Sequence, residues 1–229
     1  MSSNRPFDAS ITPGTTDSRV ITRSDTRAVF GQTMFLVAVT TGFTAGGAYI
    51  GRDLSMGWAL GMWALSLVAI LGMSFARRAQ NGALGMALLF TVGLLLGLAI
   101  GPTIAAYTSV QGGAQIVYQA AGLTALFIAG FGVAGWAIKR DLAPAARVAF
   151  WVLVAMIVAG FAAFFLSIPG FNVLWSIVGL GVFSVFTMFD FQRLRSAGEE
   201  DVVMIALSIF LDVFNVFLMI LNLLGLGRD

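Results

Sequence analysis

The sequence predicts an all-α, polytopic membrane protein: a bundle of seven transmembrane helices with a cytosolic N-terminus. Three observations carry this prediction. The 229 residues are 59% hydrophobic and 10% charged, whereas a soluble domain carries about 25% charged residues. Such a chain lacks the polar groups to cover its surface in water. Seven separate apolar runs occur, each near the roughly 20 residues needed to cross a hydrocarbon core. Finally, Lys and Arg fall on alternate connections, as the bias of basic residues toward the cytosolic side requires.

Residues 1–28 are polar, with Ser, Thr, Arg, Asp and Pro interspersed. They read as a disordered cytosolic tail, without the basic region, short apolar core and cleavage site of a signal peptide. The spans follow at approximately 29–50, 55–75, 83–107, 116–138, 147–167, 171–191 and 202–224, within one domain over 29–229. Their short links predict antiparallel sequential neighbours. With the N-terminus inside, eleven of the thirteen basic residues are cytosolic: Arg5, Arg19, Arg23, Arg27, Arg77, Arg78, Lys139, Arg140, Arg147, Arg193 and Arg195. Arg52 and Arg228 lie outside, and an even number of spans would break the alternation.

Smaller signals fit this frame. Gly42 and Gly46, Gly57 and Gly61, and Gly93, Gly97 and Gly101 are each four apart. Each set therefore shares a helix face suited to close backbone approach. Pro102 is expected to kink or fray the end of span 3. Tyr49, Trp58, Tyr107 and Tyr118 fall near outer span ends, where interfacial anchors belong. Cys and His are both absent. There is then no disulfide framework, no Ser–His pair and no HExxH zinc site. The formal net charge of +2 offers nothing to nucleic acid, and no nucleotide or cofactor motif is present.

Two acidic residues stand out, Asp190 and Asp212, which lie against or inside apolar runs while most others lie in the tail or loops. Asp212 is ten residues past Val202, about 15 Å along a helix of 1.5 Å rise and roughly half the hydrocarbon thickness. Asp190 is nearer the inner end, shallower by roughly one or two turns of 5.4 Å. A central Asp costs about 2.5–3.5 kcal/mol to insert, and such residues usually face the bundle interior and mark an ion or proton path. Ser208, Asp212, Asn215 and Asn222 form one stripe on span 7, and Ser184, Thr187 and Asp190 a looser one on span 6. Facing each other, the stripes would make a polar seam, with Ser208 and Asn215 supporting the carboxylates. Two carboxylates in a dry, close site cannot both ionise cheaply, so a shared proton is their natural state near neutral pH and they titrate as a unit. Without that proton the pair would repel or recruit a hard cation such as calcium, which favours carboxylate and carbonyl oxygen.

Other readings of these residues lead elsewhere. Asp190 could reach the inner interface beside Arg193, with Asp212 a protonated donor that only holds helices together. Arg193 and Arg195 themselves read as interface anchors rather than ligand-binding groups. Aspartyl intramembrane proteases also share a proton between two acids. Their GxGD motif is absent: Thr187-Met188-Phe189 precedes Asp190 and Ile209-Phe210-Leu211 precedes Asp212.

The segment FDFQ at 189–192, a short polar loop, and the run IFLDVFNVFLMILNLLG at 209–225 resemble the Bax inhibitor-1 family, the TMBIM proteins and their bacterial relatives. The block TALFIAGFGVAGWAIKRDL at 124–142 is similar to that family's fourth span and its exit loop. The resemblance implies a non-enzymatic, pH-sensitive leak of calcium or another cation across a bacterial inner membrane. By motif, Asp190 and Asp212 become its proton-linked gate. It also admits a regulator that binds a membrane quality-control protease and carries no ion. The chain departs from the family where Phe189 and Phe191 replace Tyr and Thr, and where span 2 offers no buried basic residue as a partner for a carboxylate.

Overall fold

A computed structural model describes residues 23–166 and 170–226. Among these, seven helices are each long and apolar enough to cross a membrane. They are α1 (Arg23–Ile50), α2 (Met56–Arg78), α3 (Gly82–Thr108), α4 (Gly113–Ala137), α5 (Ala143–Leu166), α6 (Phe171–Arg195) and α7 (Val202–Leu226). The predicted spans match these helices to within a few residues, except that α1 and α5 begin earlier and α6 runs one turn longer. The start of α1 at Arg23 takes residues 23–28 out of the predicted tail. Residues 1–22 and Arg228 lie outside the described residues.

Local chemistry sets the ends. The Asn81 Oδ1 accepts from the Leu84 N–H at 3.0 Å and caps α3, supplying a partner that the first turn lacks internally. Gly112 takes a left-handed conformation, φ 73°, at the turn into α4. A single 3-10 turn, Glu199–Asp201, leads into α7. Its three acidic residues sit at the positive end of the helix dipole, and Asp201 pairs with Arg77 at the end of α2, 3.3 Å away.

α7 is the axis of the bundle. Over its most apolar window 56% of residues are buried, against 17–39% for the other six. It packs against α1, α3, α4 and α6, while Ile205, Ile209 and Phe210 share a core with Leu89 and Val92 of α3. Lipid is as apolar as this core, so the helices associate through close packing rather than removal of surface from water.

A close backbone seam joins α1 and α3. A Cβ added at Gly93 would come within 2.7 Å of the Thr40 carbonyl, and one at Gly97 would collide with the Thr44 carbonyl. Gly101 lies equally close to Gly51, and Gly47 to Leu94. The expectation for Gly93, Gly97 and Gly101 therefore holds. The one for the other pairs does not: an added Cβ at Gly42, Gly46, Gly57 or Gly61 would meet nothing within 4 Å. The same spacing recurs on faces turned away from any neighbour in the bundle.

Two further positions are fixed by packing. α3 continues through Pro102 to Thr108, close to the predicted limit of 107. The Leu98 carbonyl, which loses its donor to the proline ring, faces the close approach of Gly51. Tyr49, Trp58 and Tyr118 are exposed, as anchors should be. Tyr107 is instead half-buried and packed against Gly225 at the end of α7.

Candidate functional site

α6 and α7 run antiparallel and in contact, and this seam places both aspartates inside the protein. Asp190 is 5% exposed and Asp212 3%. The two carboxyl groups are close enough for the charge of one to act on the other. The Ser208 hydroxyl of α7 lies beside Asp190, and Thr187 of α6 lies beside Asp212. These cross-pairings define the register. Ser208 is four residues before Asp212 and Thr187 three before Asp190, so the carboxylates are offset by about one helical turn, roughly 5 Å. The predicted seam, and Asp190 as its shallower member, are both found.

The two sites differ in chemistry. Arg193 Nη1 donates to Asp190 Oδ1 at 3.3 Å. That ion pair is 38% exposed at the arginine and 7% at the aspartate, so one end reaches the bundle rim and the other is buried. The guanidinium also sits over the Phe189 ring, 5.7 Å from its centre. Arg193 thus pairs with Asp190, as the reading that sets Asp190 beside it expects, while its half-exposed guanidinium stays at the rim. Asp212 has no such cation. Its Oδ2 and the Thr187 Oγ1 are fully buried, and neither has a hydrogen-bond partner among the described residues. A buried polar atom left without a partner costs about 1–3 kcal/mol.

Ser208 stands where expected, whereas Asn215 does not join the pair. Its Nδ2 donates to the Leu211 carbonyl of its own helix at 2.7 Å. Helical spacing puts Asn215 on the same stripe, but its short amide is satisfied one turn back. Among the described residues no group of three or more acidic side chains gathers as a metal site. The calcium expectation therefore rests on Asp190 and Asp212 alone.

Two side chains whose partners the sequence does not reveal fix the neighbourhood. Gln192, at the end of the FDFQ segment, accepts from the Leu142 N–H at 2.9 Å through Oε1. Its Nε2 donates to the carbonyls of Ile138, at 3.2 Å, and Arg140, at 2.7 Å. Arg195 Nη1 donates to the Trp136 carbonyl at 2.7 Å and the Ile138 carbonyl at 3.3 Å. Together they satisfy carbonyls at the C-terminal end of α4, where a cation is also favoured by the helix dipole. Arg195 is therefore a tie between helices and not only a surface anchor. The motif was visible in the sequence; its partners, fifty or more residues away, were not.

Comparison with known proteins agrees with this architecture. A Vibrio cholerae protein described as an uncharacterised membrane protein is 28% identical over 209 residues, 90% of this chain and 92% of its own. An uncharacterised protein of Helicobacter pylori strain J99 is 27% identical over 163 residues, 71% of this chain and 70% of its own. The inner membrane protein YbhL of Escherichia coli strain K12 is 30% identical over 132 residues, 49% of this chain and 56% of its own. The model of the family described as inhibitor of apoptosis-promoting Bax1 matches residues 26–229. With that match over almost all of the membrane domain, the chain belongs to the Bax inhibitor family.

Proposed function

We propose that the protein is a passive, proton-regulated cation pathway, not an enzyme, and that Asp190 and Asp212 are its sensor and gate. The observation that carries this reading is the placement of two buried carboxylates within about one helical turn of each other across the α6–α7 seam. Such a pair resists ionising twice while dry, so it retains one proton. Losing that proton creates a charge that the surrounding apolar helices cannot solvate. The helices then separate, or a cation enters.

Calcium is the permeant ion this chemistry favours, as cargo rather than a resident ligand. A stable calcium site takes 6–8 oxygens. The seam offers two carboxylates and the nearby hydroxyls of Ser208 and Thr187, a set poor enough for an ion to leave again. The inner membrane of a bacterium is the proposed location, supported by the relatives named above.

The test is calcium entry into dye-loaded proteoliposomes from about pH 5 to about pH 8, the range in which proton sensors work. The wild type runs beside Asp190→Asn, Asp212→Asn and the double variant. Flux whose pH dependence flattens in the variants supports the gate. Absence of wild-type flux above empty vesicles at every pH rejects the pathway and leaves a regulator that binds a membrane-protein partner, with the aspartates as packing donors.

A further inference from the structure

A second feature of the bundle lies on the far side of α7 from the aspartates. α1 and α4 stand apart along most of their length. The space between them is a groove of about 1630 Å³, walled by α1 and α4 and floored by α7 with part of α3. Its floor is aromatic and aliphatic: Phe210, Val213, Phe214 and Phe217 of α7. It runs from Arg27 on α1 to Arg52 in the short turn after that helix, 25 residues and about 37 Å at helical rise, which exceeds a hydrocarbon core of about 30 Å. It is also larger than the roughly 300–1,000 Å³ of pockets that take compact ligands. A dry void of this size would forfeit the dispersion contacts of its whole lining, and a long flexible chain is the shape that fills it.

Charge distinguishes the two ends. At one end Phe30 of α1 meets Trp136 of α4 edge to face, ring centres 5.5 Å apart. Arg27 lies one turn before Phe30, and Arg195 bonds the Trp136 carbonyl, so two guanidinium groups flank this aromatic closure. Arg27 forms no ion pair with a described residue. Among the described residues the hydrogen bonds of Arg195 run through Nη1, which leaves its other N–H groups for an anion. At the opposite end Arg52 is already paired with Asp53 at 3.2 Å and covers the Tyr49 ring. An anionic head group is therefore favoured beside Arg27 and Arg195 and not beside Arg52.

We propose that this groove is a binding site for an anionic phospholipid. The lipid's acyl chains lie against the α7 floor and its phosphate sits between Arg27 and Arg195. This does not depend on the gate proposal. It concerns the opposite face of α7, although Phe191 and Val213, the chain neighbours of Asp190 and Asp212, line the groove.

The test is photo-crosslinking of the full chain, reconstituted in phosphatidylcholine vesicles with a trace of phosphatidylglycerol bearing a diazirine in its acyl tail. Adducts are mapped by peptide mass spectrometry. The expected result is labelling concentrated on the groove faces of α1, α4 and α7. Ala125→Trp, which fills the groove from α4, should abolish it. Leu126→Trp, one position over on the lipid-exposed surface, should leave it intact. Arg27→Gln should lower the preference for the anionic probe over a phosphatidylcholine probe about fivefold, the effect of one basic residue near a lipid phosphate. Labelling spread evenly around the bundle, or unchanged in Ala125→Trp, would overturn the site. Equal labelling by both probes, indifferent to Arg27→Gln, would overturn the anionic head group. Loss of labelling with added inorganic phosphate would make the basic end a free-anion site, and absence of groove adducts from a chain that runs as a dimer in size-exclusion chromatography would make the groove an interface between copies.

Discussion

Arg193 and Asp190 form an ion pair within one turn of α6, Nη1 to Oδ1 3.3 Å, with the aspartate buried and the arginine half out. The neighbouring carboxyl, Asp212, has no cation, and one of its oxygens has no protein partner among the described residues. The two acids of the candidate gate are therefore not equivalent.

A double-mutant cycle measures the first of them. Arg193→Gln leaves a buried carboxyl without its cation, whereas Asp190→Asn leaves an arginine that can turn outward. The coupling energy from thermal unfolding in detergent is expected to be about 1 kcal/mol or more, as for partners in direct contact. Arg193→Gln should destabilise the protein more than Asp190→Asn does. Additivity within about 0.3 kcal/mol would show that the pair does not form.

The neighbours of the carboxylates give a second contrast. In the proteoliposome assay Ser208→Ala is expected to alter the pH profile, because its hydroxyl lies beside Asp190. Asn215→Ala should leave the profile unchanged, because its amide is engaged by Leu211. The reverse pattern would return Asn215 to the gate and remove Ser208.

Gln192 predicts a structural effect at a distance. Gln192→Ala removes one acceptor and two donations at the α4–α5 connection. It is expected to cost about 1–3 kcal/mol and to speed amide exchange of Leu142 specifically. Unchanged exchange there would mean that the contact is not maintained in the membrane.

The glycines separate packing from composition. Gly97→Ala should destabilise by about 1–3 kcal/mol, the usual cost of overpacking, because the new methyl collides with the Thr44 carbonyl. Gly61→Ala should be neutral or stabilising by up to about 1 kcal/mol, the difference in helix propensity, since open space surrounds it. Equal responses in thermal unfolding would refute the asymmetry.

Seven spans, their limits and the two aspartates were legible in the sequence. Hydrocarbon imposes a length on any segment that crosses it, and a carboxylate inside an apolar run is costly wherever that run packs. Rotation and height were not legible to the same degree. Gly42 and Gly46 have the spacing of Gly93 and Gly97, yet only the second set meets a backbone. Tyr107 occupies the same kind of position as Tyr118, yet packs inward against Gly225. Asn215 shares a stripe with Asp212 but bonds its own helix.

The sequence by itself determined that this chain is a seven-helix membrane protein and that Asp190 and Asp212 are its exceptional residues, because both facts follow from transfer of single residues into an apolar phase. Only the tertiary structure decided that Thr187 and Ser208 set the register between the acids. It alone assigned Arg193 to Asp190, tied Gln192 and Arg195 to α4, and opened a groove between α1 and α4. Those relationships depend on which faces of different helices meet, and in lipid that is settled by the fit of side chains and backbones rather than by hydropathy.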